Sequence, residues 1–311
     1  MTLQQLTYAL ALQQHRSFKI ASQKLFISQP ALSVQIQKLE DELDIILFDR
    51  SASPISVTEE GKLFLIRAEE IVTSASALKN FTKELKQDVS GQFKIGIIPT
   101  LAPFLVPLFS DHLQEVHPKL NLDFSEMTTN RVIEGVRKGE LDTGLIATPV
   151  NVFGIVSEPI FYEKFFFYAS SEFAQGNGIS LKNIDYDQLW LLNEGNCFRD
   201  QINNFCDQNE IRKGKRFIYR SNSIDALIRI VDLKGGMTIL PELTTLSLSV
   251  EQEDNIAPIG KKAREIGIIN RKNNSKERFT NELINAIKEN IPSVMLSKEG
   301  LEVVDPEIIM N

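Results

Sequence analysis

Two cysteines, Cys197 and Cys206, carry the only thiols in the 311-residue chain. A thiol can be oxidised, can bind a metal ion, or can lie inert in a core as a small apolar group. A metal site is disfavoured because the three histidines, His15, His112 and His117, are all distant from the pair in sequence. A structural disulfide is disfavoured in a cytoplasmic chain. From these residues alone, a reactive pair and two inert buried thiols both remain open.

The segment between the thiols is predicted to be helical. Cys197 precedes a predicted helix over 198–211, so backbone N–H groups and the helix dipole favour its thiolate. Arg199 adds a positive charge two residues further on. On an intact helix, nine residues rise about 13.5 Å and end on the opposite face, whereas a disulfide needs Cα atoms within about 7 Å. A bond between Cys197 and Cys206 therefore requires the helix between them to unwind.

The elements around the thiols alternate between strand and helix, which is typical of an α/β domain with a mostly parallel sheet. A first set comprises strands at 92–98, 120–126 and 141–147, a helix after Pro103 and a helix at 130–138. A second set includes helices at 198–211 and 223–234, and the chain then returns with a strand at 265–270 and a helix at 276–290. We expect a regulatory domain over 90–311, with a cleft between lobe I (about 90–160 and 265–300) and lobe II (about 161–264).

Residues 1–58 predict a small winged helix-turn-helix domain. Helical periodicity covers 3–14, Ser17 can cap a second helix, and Ser28 can cap a third after the turn Phe26-Ile27. The stretch Phe48–Thr58 predicts a β wing. Helix-turn-helix proteins insert the N-terminal end of their second motif helix into the DNA major groove. In the third helix, we expect a buried stripe of Leu32, Ile36, Leu39 and Leu43 and an outer face of Pro30, Ser33, Val34, Gln37 and Lys38.

Charge is distributed unevenly along the chain. The formal net charge is −7, which alone argues against a nucleic-acid partner. Residues 1–39, however, contain four basic residues and no acidic ones. A basic head on an acidic body suits a protein that reads double-stranded DNA with one end only.

A long helix is predicted to link the two parts, over 59–89. Phe64, Ile71, Leu78 and Leu85 repeat every seven residues, with Ala68, Ala75 and Thr82 four residues after the first three. This pattern predicts a coiled-coil seam that pairs two chains. The alternative is a helix that packs on its own domain.

Composition predicts a soluble globular chain that resides in the cytoplasm and does not use a membrane. The chain is 42% hydrophobic and 24% charged. Its apolar runs are far shorter than the roughly 20 residues that span a bilayer. No basic segment precedes the apolar stretch at the N-terminus, so we expect no signal peptide.

The order of these parts resembles that of the LysR-type transcriptional regulators over essentially the whole chain. The resemblance is strongest in the head motif SFKIASQKLFISQPALSVQIQKLEDEL, including Ser28-Gln29-Pro30. Within that family, IPTLAPFLVP (98–107) and GNCFRDQINNFC (195–206) are similar to segments of the OxyR subgroup, which senses hydrogen peroxide. The resemblance implies an α+β multidomain fold with an all-α winged head, a linker helix and a two-lobed regulatory domain like periplasmic binding proteins.

The subgroup resemblance also implies how the thiols work. Peroxide would oxidise Cys197 to a sulfenic acid, and Cys206 would capture it as a disulfide. Thr100 and Thr129 would hold peroxide in the cleft, although each can instead serve a cap or turn. Asn196, Arg199 and Asp200 complete the expected peroxide site. Asn196 stands where the subgroup usually has histidine, and Asp200 is expected to position Arg199. No cofactor, metal or enzymatic activity is expected.

For DNA, the resemblance assigns groove contacts to Ser28, Gln29, Pro30 and Ser33. Lys38 and Arg50 are expected to contact phosphates or the minor groove. The wing sequence Ser51-Ala52-Ser53-Pro54 and Val34, where many relatives have arginine, depart from the family pattern. A homotetramer built as a dimer of dimers and contact with RNA polymerase are further implied partners.

Three other functions are conceivable for a chain with these parts. A LysR-type regulator could instead respond to a small effector in the inter-lobe cleft, its cysteines being incidental. A thiol peroxidase would have no use for a DNA-reading head. A periplasmic-type binding protein would lack residues 1–88 and would carry an export signal.

Overall fold

The computed structural model describes residues 1–51, 54–84, 91–173, 184, 186–193, 195–206, 219, 221–272, 274, 276–306 and 308. They form two compact units, Met1–Gln87 and Asp88–Asn311. The predicted winged helix-turn-helix head, long helix and α/β regulatory part are all present, so the predicted fold class is confirmed. No helix among these residues is long and apolar enough to span a membrane.

Side-chain caps start all three head helices. Thr2, Ser17 and Ser28 each accept a hydrogen bond from a backbone N–H of the first turn, which satisfies a donor that the helix leaves free. The caps predicted at Ser17 and Ser28 are therefore confirmed. The elements of this unit are α1 (Leu3–His15), α2 (Phe18–Lys24), α3 (Gln29–Leu43), β1 (Phe48–Asp49), β2 (Ser56–Val57) and α4 (Glu59–Glu84).

The head core forms where α3 was predicted to be buried. Leu32, Ile36 and Leu39 are fully buried and Leu43 is partly buried. The opposite face of α3 is exposed or half-exposed, as predicted. The wing is a two-stranded antiparallel ribbon in which Phe48 pairs with Val57. Ala52 and Ser53 lie outside the described residues.

Helix α4 divides the predicted seam into two parts. Near its start, Leu65 and Ala68 are buried and Phe64 packs partly against the head core. This part of the helix therefore packs on its own domain. Further along, Ile71 and Leu78 are 45% and 67% exposed. The predicted face is thus available for a partner only in the later turns. The side chains of Thr82 and Leu85 and the predicted end near Asp88 lie outside the described part.

The regulatory unit contains one curved mixed sheet with helices packed on it. Its strand order is β4-β3-β5-β9-β6-β8-β7, with β10 beside β9. The prediction of a mostly parallel sheet was wrong in its centre, because the two longest strands, β6 and β9, pair with each other antiparallel. The strands are β3 (Gly91–Ile97), β4 (Leu120–Glu126), β5 (Thr143–Thr148), β6 (Ile155–Ala169), β7 (Leu189–Trp190), β8 (Met237–Pro241), β9 (Ile256–Arg271) and β10 (Glu302–Val303).

Two hydrophobic clusters lie along this sheet. The first cluster packs around β3, β5 and neighbouring helices, and the second packs around β8 and the helix that precedes it. Strands β6 and β9 contribute side chains to both clusters and so join them. The helices are α5 (Ala102–Val116), α6 (Thr129–Lys138), α7 (Cys197–Asn203), α8 (Ile224–Lys234), α9 (Glu242–Thr245), α10 (Val250–Glu253) and α11 (Glu277–Asn290), with short 3₁₀ turns at Tyr186–Gln188 and Ser293–Leu296.

Candidate functional site: a thiol beside a buried cation

Cys197 is the first residue of α7 and is buried in the first cluster. Asn196 caps the helix, since its Oδ1 accepts a hydrogen bond from the Phe198 N–H at 3.0 Å. Gly195 precedes it with a φ of 83°, a conformation that favours glycine. The asparagine that replaces the usual histidine therefore has a defined structural role, which is to start the helix at the thiol.

Opposing influences act on the pKa of the Cys197 thiol. Burial is the largest and raises the pKa, because the thiolate loses its hydration. A hydrogen bond with Thr129, the positive charge of Arg264 and the Phe198 N–H lower it, and the charge of Asp200 raises it. The net effect is a raised pKa. The Phe198 N–H at the helix terminus thus favours the thiolate, as expected, but burial outweighs the groups that lower the pKa.

The cation near Cys197 is Arg264, which the sequence predictions missed. Arg199 instead donates from Nη1 to the carbonyl oxygen of Leu192 at 2.7 Å. Arg264 is fully buried on β9. A signal for it existed in the sequence: Arg264 shares the strand parity of Ile266 and Ile268, both fully buried, so its side chain had to point inward.

Glu163 on β6 neutralises Arg264 inside the protein. The Arg264 Nε donates to Glu163 Oε1 at 2.7 Å, and both side chains are fully buried. The other oxygen, Oε2, accepts from the Leu243 N–H at 3.1 Å. Burial raises the pKa of the Glu163 carboxyl, and the Arg264 guanidinium and the Leu243 N–H oppose this shift. A charged pair can be buried in a core when both side chains have hydrogen-bond partners, as they have here.

The two predicted threonines lie beside this pair and the thiol. Thr100, which follows β3, is fully buried, and its Oγ1 accepts from Arg264 Nη1 at 2.9 Å. Thr129 begins α6 and hydrogen-bonds Cys197. The residue at the cap position of α6 is Thr128, so Thr129 is not the cap of that helix. Thr129 on α6 and Arg264 on β9 thus both act on the Cys197 sulfur, and Thr100 binds Arg264.

Phe198 covers Arg264 from the other side. The guanidinium carbon lies 4.8 Å from the centre of the Phe198 ring, a distance that allows a cation–π attraction. The ring also stacks on Phe165 of the second cluster at 5.4 Å. The residue after the thiol therefore bridges the cation and the second cluster.

Cys206 lies in a different core from Cys197. It is buried in the second cluster, and burial raises the pKa of its thiol to about 12. Both cysteines are free. The helix predicted over 198–211 is shorter as described, since α7 ends at Asn203, and 207–211 lie outside the described residues. Its bonding nevertheless continues, because the Cys206 N–H donates to the Ile202 carbonyl at 3.0 Å.

The head presents a second candidate site. The Ser28 Oγ accepts from the Ala31 N–H at 3.3 Å, so this hydroxyl serves as a helix cap. Gln29, Pro30 and Lys38 are exposed and Ser33 is half-exposed. A shallow depression beside Gln29 is also lined by two basic residues that the site predictions omitted, Arg16 and Lys19.

Arg50 is already engaged within the head. Its Nη2 lies 2.5 Å from Glu40 Oε2, and its guanidinium carbon lies 5.6 Å from the centre of the Phe18 ring. Its side chain still exposes 37% of its surface. A phosphate would therefore have to share Arg50 with Glu40.

No group of three or more metal-ligating side chains occurs among the residues that the structure describes.

The sequence matches two family profiles. Residues 3–62 match the bacterial regulatory helix-turn-helix protein, lysR family, and residues 86–291 match the LysR substrate binding domain. Over 255 residues the chain is 31% identical to the hydrogen peroxide-inducible genes activator of Dickeya chrysanthemi, with 81% of each protein covered. Over 245 residues it is 30% identical to the DNA-binding transcriptional dual regulator OxyR of Escherichia coli K12, with 78% of this chain and 80% of that protein covered.

Solved structures give a consistent likeness. A variant of full-length OxyR from Pseudomonas aeruginosa has a TM-score of 0.72 at 27% identity, with 96% of this chain and 98% of that chain covered. OxyR from Porphyromonas gingivalis has a TM-score of 0.64 at 29% identity, with 69% of this chain and 100% of that chain covered.

Proposed function

The chain belongs to the LysR family of bacterial helix-turn-helix regulatory proteins, and we propose that it controls transcription in response to hydrogen peroxide. The observation that carries this proposal is one thiol, Cys197, beside a hydroxyl and a buried cation, with a second thiol in a separate core nine residues on. Relatives named as hydrogen peroxide-inducible genes activators support it.

The first chemical step takes place at Cys197. The thiolate attacks one peroxide oxygen, the O–O bond breaks, and the departing hydroxide takes up a proton to become water, which leaves a sulfenic acid. Thr129 and Thr100 supply hydroxyls that can hold peroxide, and Arg264 stabilises the anionic sulfur. Cys206 is the weaker nucleophile, because burial raises its pKa to about 12 and no other group opposes this.

The second step converts oxidation into a change of shape. The Cys206 sulfur attacks the sulfenic acid, the S–O bond breaks, and water leaves as the disulfide forms. A continuous helix from Cys197 to Cys206 would hold the two Cα atoms about 13.5 Å apart, roughly twice what a disulfide tolerates. Helix α7 and the bond from the Cys206 N–H to the Ile202 carbonyl supply helical bonding over much of this stretch. The segment must unwind, and both hydrophobic clusters lose a member.

The head is the part of the protein that would bind DNA. Ser28, Gln29, Pro30 and Ser33 would enter the major groove of double-stranded DNA, while Lys38 and Arg50, joined by Arg16 and Lys19, would contact phosphates. The exposed turns of α4 would pair two chains, and a dimer of dimers would present several heads to one operator. The protein would act in the cytoplasm together with RNA polymerase.

Mass spectrometry of the peptide that contains both cysteines tests the proposal. After one equivalent of peroxide, we expect a loss of two hydrogens that marks an intramolecular disulfide. Cys206→Ser should stop at the sulfenic acid, which a dimedone adduct would reveal, and Cys197→Ser should remain unreacted. Unmodified thiols after this treatment would contradict the proposal, especially if a small effector still altered DNA binding.

A further inference from the structure

The end of the chain runs alongside the strand that carries Arg264. Strand β10 pairs in parallel with β9, with Val303 opposite Ala263. The Val304 N–H donates to the Ala263 carbonyl at 2.8 Å, one residue before Arg264. A salt bridge of 2.8 Å between Lys262 and Glu302 lies at the surface and contributes little.

The same segment is bound by the stretch between the two thiols. Gln201 on α7 is fully buried, and its Nε2 donates to the Val304 carbonyl at 2.8 Å. Asn204 follows α7, and its Nδ2 donates to the Asp305 carbonyl at 3.2 Å. Residues 302–306, here called the C-terminal latch, therefore join the strand of the buried cation to the segment that must unwind.

Apolar contacts hold the latch in place. Val304 packs against the second cluster, Pro306 is buried, and Ile308 beyond the latch packs against the first cluster. Each thiol lies in one of these two clusters, and both clusters are thus in contact with this segment. Detachment of this segment would expose apolar surface.

We propose that the C-terminal latch holds the segment between Cys197 and Cys206 in its reduced shape and is released when the disulfide forms. This rests on the proposed function above. Closing the disulfide moves the backbone at Gln201 and Asn204, so their side chains lose the carbonyls that they reach now. Because these two bonds exist only with the helix intact, they favour the dithiol over the disulfide. The latch therefore sets how oxidising the conditions must be before the switch closes.

Two truncations test the role of the latch. A chain ending at Leu301 lacks the latch, whereas the matched control ending at Pro306 keeps both carbonyls. Each protein is equilibrated in mixtures of reduced and oxidised dithiothreitol, and the disulfide fraction is measured by mass spectrometry. Loss of two hydrogen bonds, each worth about a factor of five, should shift the equilibrium of the shorter chain toward disulfide by roughly 25-fold, with the control close to full length.

A point variant keeps the test valid if the shorter chain is unstable. Asn204→Ala removes one of the two bonds, so we expect a shift of about fivefold in the same direction. Amide hydrogen exchange at Val304 gives an independent readout, and its protection should fall in the oxidised protein only.

The outcomes separate the two proposals. Equal equilibria in full-length, truncated and Asn204→Ala proteins, or unchanged Val304 protection after oxidation, would overturn the latch while the switch itself stands. Failure of full-length protein to form any Cys197–Cys206 disulfide would remove the proposed function and the latch with it.

Discussion

Reactivity at Cys197 depends on groups that act against one another. Burial raises the pKa of the thiol, while Thr129 and Arg264 favour the anion. In the proposed mechanism, such a balance would protect the thiol in the resting protein and would still permit reaction once peroxide binds between the donors. Single side chains around the sulfur should therefore shift its pKa in opposite and predictable directions.

Asp200→Asn should lower the pKa of Cys197, because it removes a negative charge that disfavours the thiolate. In a Cys206→Ser background, the midpoint of Cys197 alkylation rate against pH should move to lower pH, and alkylation at pH 7 should be faster. Asp225→Asn, an exposed substitution on α8, is the matched control and should leave the profile unchanged. A midpoint that stays in place in Asp200→Asn would refute this account of the charge.

Thr129→Val should act in the opposite direction, since it removes a hydrogen bond that lowers the Cys197 pKa. The alkylation midpoint should rise, and sulfenic acid formation at pH 7 should slow. Thr129→Ser restores the hydroxyl and should recover most of the rate. Equal rates in the Val and Ser variants would show that the hydroxyl has no part in the reaction.

At the scale of elements, Glu40 connects helix α3 to the wing. Its Oε1 accepts from the Leu47 and Phe48 N–H groups at 2.8 and 3.1 Å, and Oε2 pairs with Arg50. The carboxylate is only 6% exposed. One side chain on α3 thus determines where β1 begins and where Arg50 lies.

Glu40→Ala should destabilise the head by roughly 2–4 kcal/mol, because it leaves two buried backbone donors without an acceptor. Urea unfolding of the head, followed by circular dichroism, measures the loss. Gln37→Ala on the same helix removes an exposed bond to Asp41 and should change stability by less than about 0.5 kcal/mol. Similar losses in the two variants would show that Glu40 does not hold the wing.

At the scale of the whole molecule, a helix with an exposed apolar face follows a head whose first 39 residues carry four basic and no acidic side chains. Ile71 and Leu78 on α4 are more exposed than core side chains of their size, and they repeat at heptad spacing. Pairing of two chains would bury this face and bring two heads to one DNA site.

Leu78→Lys should weaken self-association by roughly tenfold or more, because it places a charge in the predicted seam. Sedimentation velocity across a concentration series measures the change, and operator affinity should fall with it. Glu70→Gln, an exposed change on the same helix, should have little effect. A dimer of unchanged affinity in Leu78→Lys would place the interface elsewhere.

Features that depend only on residues close together in the sequence could be predicted without a structure. The caps at Ser17 and Ser28, the buried stripe of α3 and the alternation of strands and helices all follow from local hydrogen bonding and periodicity. The approximate position of the thiol pair on a helix was predicted in the same way, although α7 as described ends at Asn203.

The site around Cys197 depended on contacts between distant parts of the chain. Arg264 and Glu163 are 101 residues apart, and neither carries a local signal for its partner. Strand pairing and core packing bring them together, and burial in turn reverses the expected sign of the thiol pKa shift. Periodicity can show that a side chain faces inward, but only the packed sheet shows which groups it meets there.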